Sequence, residues 1–319
     1  MMREDWRGRI DAADGDSGRR WHQVVEPLDD AARAGVALLG FMSDEGVARN
    51  QGRTGAREGP RALRRALAPL AYHAGRGTPL YDAGDVACED HDLEGAQATF
   101  GAQVAGHLGR GHFPMLLGGG HEIAWGSFQG VAEALARDGR LPRFGVVNFD
   151  AHFDLRSGPP TSGTPFRQIR DELAARGLPF RYLCLGISRA SNTPALFQAA
   201  RDSGARWILD EDLVWPRWDA ACQVIDGFVD SIDALQLSFC LDAFPADSAP
   251  GVSAPAARGL APDMAFTLLR HLLERAGHGG AHTKVVLAEI AELAPCHDPD
   301  GRTARLAARL VHDIVTPLL

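Results

Sequence analysis

Eight apolar runs, beginning near Val36, Leu80, Phe113, Phe144, Tyr182, Trp207, Leu235 and Val285, are separated for the most part by helix-length stretches rich in Ala, Leu and Arg. No other feature restricts the fold as tightly. Runs of this kind suit buried strands, and strands that alternate with helices argue for a wound, mainly parallel sheet. The intervening segments carry helical signals of their own. Gly59 is followed by Pro60 at a plausible first turn, and residues 302–315 place apolar side chains at helical spacing. At 319 residues and 45% hydrophobic, the chain is long for one domain but acceptable as a single α/β unit. With no composition shift, long linker or repeat to divide it, a polar N-terminal arm (residues 1–30) is expected to precede one domain (31–319).

Three of these runs end in groups that hold metals. The run 144–149 leads into Asp150, Ala151, His152, Phe153 and Asp154. An extended chain sends residues i, i+2 and i+4 to one face, so two carboxylates and an imidazole converge there. The run from Phe113 ends in Gly118, Gly119, Gly120, His121 and Glu122, with a helix expected to start near His121, and the run from Leu235 ends in Cys240 and Asp242, which share a face. The carboxyl ends of strands are where open α/β sheets build sites. Buried carboxylates without compensation are costly, so a cation is their natural partner. Up to six ligands from three strands suit two ions better than one.

In this order and spacing, the three motifs resemble those of the ureohydrolase family, which includes arginases, agmatinases and formiminoglutamases. The resemblance implies an arginase-like three-layer α/β/α fold around a mainly parallel eight-stranded sheet, with a binuclear manganese centre. It also implies that His121 and Asp154 hold one manganese, His152 and Asp242 the other, and that Asp150 bridges them, with a metal-bound hydroxide as nucleophile. Cys240 departs from the family's usual aspartate. Three readings stand: a thiolate ligand, a pocket-lining thiol beside a weakened or single-metal site, or a core cysteine with no role.

Where arginases are expected to carry a substrate-holding Asn and a proton-shuttling His, this chain has Arg156 and Phe166. Arg156 and Arg167 offer guanidinium forks suited to carboxylates. Trp6, Arg20, Trp21, the segment 163–168 and Ser191-Asn192-Thr193 are similar to the formiminoglutamase branch of the family. That branch implies hydrolysis of N-formimino-L-glutamate to L-glutamate and formamide, with Arg156, Arg167 and Asn192 on the substrate, Glu292 against its amidinium and Asp154 as a proton relay. Glu289 reads as a structural carboxylate. The alternatives are a guanidino-acid hydrolase or agmatinase releasing urea, or a non-catalytic ligand-binding relative. The polar, Gly-containing loop 46–53 either lines the pocket entrance or is a solvated turn.

A net charge of −8 with scattered Lys and Arg argues against a nucleic-acid surface. The five cysteines (Cys88, Cys184, Cys222, Cys240 and Cys296) are odd in number and form no CxxC pair, a reduced, intracellular pattern. The first residues are too polar for a signal peptide, and no run approaches membrane-spanning length. A cytoplasmic homo-oligomer acting on a small molecule, without a membrane partner, is the expectation.

Overall fold

The computed structural model describes residues 2–73, 75–136, 141–280 and 282–319. Among these, nine strands form one sheet: β1 (Val25–Pro27), β2 (Val36–Met42), β3 (Leu80–Ala87), β4 (Phe113–Leu117), β5 (Phe144–Phe149), β6 (Tyr182–Ile187), β7 (Arg206–Leu209), β8 (Ala234–Cys240) and β9 (Val285–Ala291). Their order is β1-β3-β2-β4-β9-β8-β5-β6-β7, and every pairing is parallel.

The eight apolar runs correspond to β2–β9, and the sheet has one strand more than expected. That strand, β1, lies in the segment read as a polar arm. Three residues containing Glu26 and Pro27 carry no apolar run. Pairing with β3 at the sheet's edge, where a missing N–H is tolerated, makes them a strand. The same segment sends Trp21 into the core, fully buried, and Trp6 donates from Nε1 to Asp82 Oδ2 at 2.7 Å.

Successive side chains of the buried strands enter opposite cores, and this defines three layers. Met115 and Leu117 of β4, with Val147 and Phe149 of β5, belong to one core. Leu116 and Val146 belong to the other. Helices Gly59–Leu67, Trp218–Val229, Pro262–Arg275 and Arg302–Val315 cover the first face with Leu63, Ile225, Leu268 and Val311. Helices Leu93–Gly109, Ile123–Leu135, Pro165–Ala175 and Pro194–Asp202 cover the second with Phe100, Phe128, Ile169 and Leu196.

The four central strands are β4, β9, β8 and β5. Register places Leu117 opposite Ile290, Cys240 opposite Ala291 and Phe149 opposite Phe239, so their carboxyl ends finish level with one another. His121, Glu292, Cys240 and Asp150 follow within a few residues of those ends, in the crevice where such sheets bind ligands.

Candidate metal centre

Asp150 is fully buried and stands between two imidazoles. Its Oδ2 lies 3.0 Å from His121 Nδ1, and its Oδ1 lies 3.5 Å from His152 Nδ1. Asp154 Oδ2 is 2.9 Å from the same His121 nitrogen, and Asp242 Oδ2 is 3.1 Å from His152 Nδ1. Two ligand groups result, His121–Asp150–Cys240 and Asp150–His152–Asp242, each with donor atoms within 4.8 Å of one another. They share Asp150.

The local backbone that achieves this differs from the extended chain expected. β5 stops at Phe149, and residues 150–154 form a bend in which the His152 amide donates to Asp150 Oδ1 at 2.7 Å and Asp154 takes φ 50°. A left-handed bend, rather than strand alternation, turns the three side chains to one point. Asp242 likewise sits in a 3-10 turn, Leu241–Ala243, just past β8. His121 lies in a turn ahead of helix Ile123–Leu135. The glycines before it have no room for a side chain. A Cβ on Gly119 would strike the Ser43 carbonyl, and one on Gly118 the Ile290 carbonyl.

Electrostatics favour a cation here. Burial, then the charge of Asp150, pushes Asp154 up to about 6 and raises Asp242 and Cys240 as well. Burial, then Glu122 and Asp242, pushes Glu292 up to about 8. Asp150 alone is held below the ordinary carboxylate range, where its contacts with His121 and His152 outweigh burial. His121 Nδ1, although close to two carboxylate oxygens, is out of alignment for a hydrogen bond, and Asp242 Oδ1 and Glu292 Oε2 are buried without partners. Donors that face a common point rather than each other fit a metal, and the N, O and S donor set fits divalent manganese apart from the softer thiol.

Behind His121 stands a support that the sequence did not disclose. His121 Nε2 is 2.9 Å from Ser238 Oγ, and Ser238 lies in register with the buried Glu289 of β9, which accepts from Ser127 Oγ and, at 3.1 Å, from Gln236 Nε2. The Ser238 contact orients the ring with Nδ1 toward the carboxylates. Ser238, two residues before Cys240 on one strand, was within reach of a phase argument.

A cavity of about 300 Å³ opens over the centre, lined by His121, His152, Asp154, Cys240, Asp242 and Glu292 at its floor and by Asn50, Gln51, Arg53, Arg156 and Ser253 higher up. A larger groove of about 490 Å³, between helices Pro262–Arg275 and Arg302–Val315, contains none of these groups. Five described non-glycine residues have positive φ, and three of them, Gln51, Asp154 and Glu292, line this one cavity. Strain of that kind concentrates at working sites.

The substrate-binding expectations divide. The Arg156 guanidinium faces the cavity and makes no hydrogen bond or ion pair among the described residues. Arg167 is spent on the loop backbone, donating to Arg156 O at 2.6 Å and Gly158 O at 2.8 Å and pairing with Asp171 at 3.1 Å. Asn192 is equally occupied, accepting from the Phe153 amide and donating to Ala151 O and Ser188 O. Both are loop braces outside the cavity. The segment expected to be a loop divides: residues up to Arg49 belong to the short helix Glu45–Arg49, and Asn50 to Arg53 line the cavity, while Phe166 packs edge-on against the His121 ring at 5.2 Å.

A parallel sheet with helices on both faces and this centre at its carboxyl edge matches the arginase family model over residues 34–316, and the chain belongs to that family. Among its relatives, a formimidoylglutamase of Ralstonia nicotianae is 49% identical over 97% of this chain and 94% of its own length, and one of Rhodococcus jostii is 46% identical over 98% and 94%. The crystal structure of Trypanosoma cruzi formiminoglutamase with Mn²⁺ superposes with a TM-score of 0.76 at 29% identity, covering 90% of this chain and 95% of that one. The fold is also that of the Bacillus subtilis formimidoylglutamase, with a TM-score of 0.81 at 22% identity over 94% and 92% of the two chains.

Proposed function

We propose that this chain is a metal-dependent amidine hydrolase that converts N-formimino-L-glutamate and water into L-glutamate and formamide. The observation that carries the chemistry is the buried Asp150 shared by two ligand groups beneath Glu292 and Arg156. Two manganese ions are assigned, one to His121, Asp150, Asp154 and Cys240, the other to Asp150, His152 and Asp242. The chemistry these residues would draw from bound manganese is activation of water as a nucleophile near neutral pH.

The chain's own residues do the rest. Arg156, unpaired at the cavity wall, binds a substrate carboxylate through charge-assisted hydrogen bonds. Glu292 is held by the His121 amide, which donates to its Oε1 at 2.9 Å, and leaves Oε2 free for the amidinium N–H. That contact aims the formimino carbon at the metal side and keeps the head group protonated, so that its carbon stays electrophilic. Water oxygen bonds to this carbon, the bond from it to the glutamate nitrogen breaks, and a proton passes to that nitrogen. Asp154, raised toward neutrality, is assigned the relay. The working unit is taken as one domain, residues 31–319, with the arm 1–30 supplying β1 and Trp21.

The test is turnover by manganese-loaded protein of N-formimino-L-glutamate, arginine, agmatine and 4-guanidinobutyrate, with metal counted per chain. Formamide and glutamate from the first substrate alone are expected. Urea from a guanidino compound overturns the substrate assignment, and loading without turnover overturns the catalytic one. A cytoplasmic setting and a homo-oligomer belong to the same proposal, checked by cell fractionation and sedimentation. No described helix is long and apolar enough to cross a membrane.

A further inference from the structure

Glu122 follows His121 in the chain, yet it belongs to neither metal-ligand group. It is 1% exposed, and its Oε1 accepts from Ser43 Oγ and from the Gly46 amide, both at 3.0 Å. Gly46 lies against it so closely that a Cβ there would come within 2.5 Å of the Glu122 carboxyl carbon. From Gly46 the contacts run outward. Its carbonyl accepts from the Asn50 amide at 3.0 Å and from the Ser162 amide at 3.0 Å. Asn50 and Ser162 both line the cavity, as do Gln51 and Arg53 beyond. At its far end the loop is tied by Arg53, which donates from Nε to the Ser253 carbonyl at 3.1 Å.

We propose that Glu122 is a positioning residue: through its hydrogen bonds to Ser43 and Gly46 it hangs the short helix Glu45–Arg49, and with it the cavity wall 50–53, from the same turn that carries His121. It touches neither substrate nor metal. Two bonds to one buried oxygen thus fix the near end of the wall, and Arg53 ties its far end. Because the strand ends hold the metal-ligand side chains independently, losing these bonds displaces the wall and leaves the floor. Binding weakens while the chemical step is largely retained.

The decisive comparison is Glu122→Ala with Glu122→Gln. Gln keeps an oxygen acceptor at the right place, and Ala removes it. In Glu122→Ala, KM for N-formimino-L-glutamate is expected to rise about 10-fold or more while kcat changes by less than about threefold, and Glu122→Gln restores KM to within about threefold of the parent. The KM readout rests on the hydrolase reading above. Amide hydrogen exchange of the peptide spanning 44–53 does not, and it is expected to accelerate in Glu122→Ala but not in Glu122→Gln, with bound manganese unchanged in both. Should Glu122→Ala fail to fold, Ser43→Ala, which removes one of the two bonds, is expected to show the same pattern at smaller amplitude. Unchanged exchange in both truncated variants overturns the proposal. So does a Gln variant that behaves as Ala does, or a loss of manganese without faster loop exchange.

Discussion

Cys240 is where this centre departs most from a hard-donor site. Its thiol is 1% exposed, grouped with His121 and Asp150, and pushed up by burial and then by the neighbouring Asp150. A soft sulfur favours soft ions, so Cys240→Asp is expected to raise affinity for Mn²⁺ relative to Cd²⁺ by roughly 10-fold or more, measured by isothermal titration. Cys240→Ala is expected to lower the manganese count per chain. A variant that binds both ions as the parent does would return Cys240 to the status of a core cysteine. The two arginines separate as sharply. Arg156→Ala removes a free guanidinium from the cavity and is expected to raise KM by about 10- to 100-fold. Arg167→Ala is expected to leave KM nearer the parent's and to lower thermal stability, because its guanidinium serves the backbone of Arg156 and Gly158. Steady-state kinetics with melting curves on both variants checks this. At this scale the sequence was legible in which side chains gather, with His121, Asp150, His152, Cys240 and Asp242 meeting as expected. It was not legible in the direction of Arg167 and Asn192, since a side chain's partner depends on loops remote in the chain.

The last turn of helix Leu93–Gly109 carries His107, which is buried with Nε2 lacking a partner among the described residues. Burial, then Arg110 and His112, pushes this imidazole down to about 4. Its folded pKa lies below its unfolded value, so between pH 6.5 and 4 the unfolded chain binds the extra proton. The stability from a neutral His107 is complete above about pH 6.5 and is lost on acidification toward pH 4, to a limit on the order of 3 kcal/mol. Urea midpoints between pH 7 and 4.5 are expected to fall less steeply in His107→Gln than in the parent. Elements were largely readable before any coordinates: β2 to β9 begin at or within one or two residues of the apolar runs, and helix Arg302–Val315 spans the periodic segment. The edge strand β1 was not, because three residues gain strand character only by docking on β3.

At the scale of the molecule, the centre places Asp150, Asp154, Asp242, Cys240 and Glu292 together at the middle of the sheet. Without a cation, carboxyls raised to about 6 at Asp154 and about 8 at Glu292 ionise more readily in the unfolded chain, so the metal-free fold loses stability as pH rises from the carboxylate range toward 8. Manganese reverses that cost. The melting temperature gained on replacing EDTA with saturating Mn²⁺ is expected to be larger at pH 8 than at pH 6, reaching about 5–10 °C. An equal gain at both values would show that these groups do not balance the ion. The sequence by itself determined the alternating elements, the parallel sheet and the residue types gathered at the strand ends, because apolar periodicity and short motifs are local properties of the chain. Only the tertiary structure decided that Arg156 alone of the expected substrate groups is free, that Ser238 stands against His121, and that Glu122 meets Gly46 behind the cavity wall. Each of these depends on which side chains from distant segments meet behind the strand ends, and that is set by packing and register rather than by spacing.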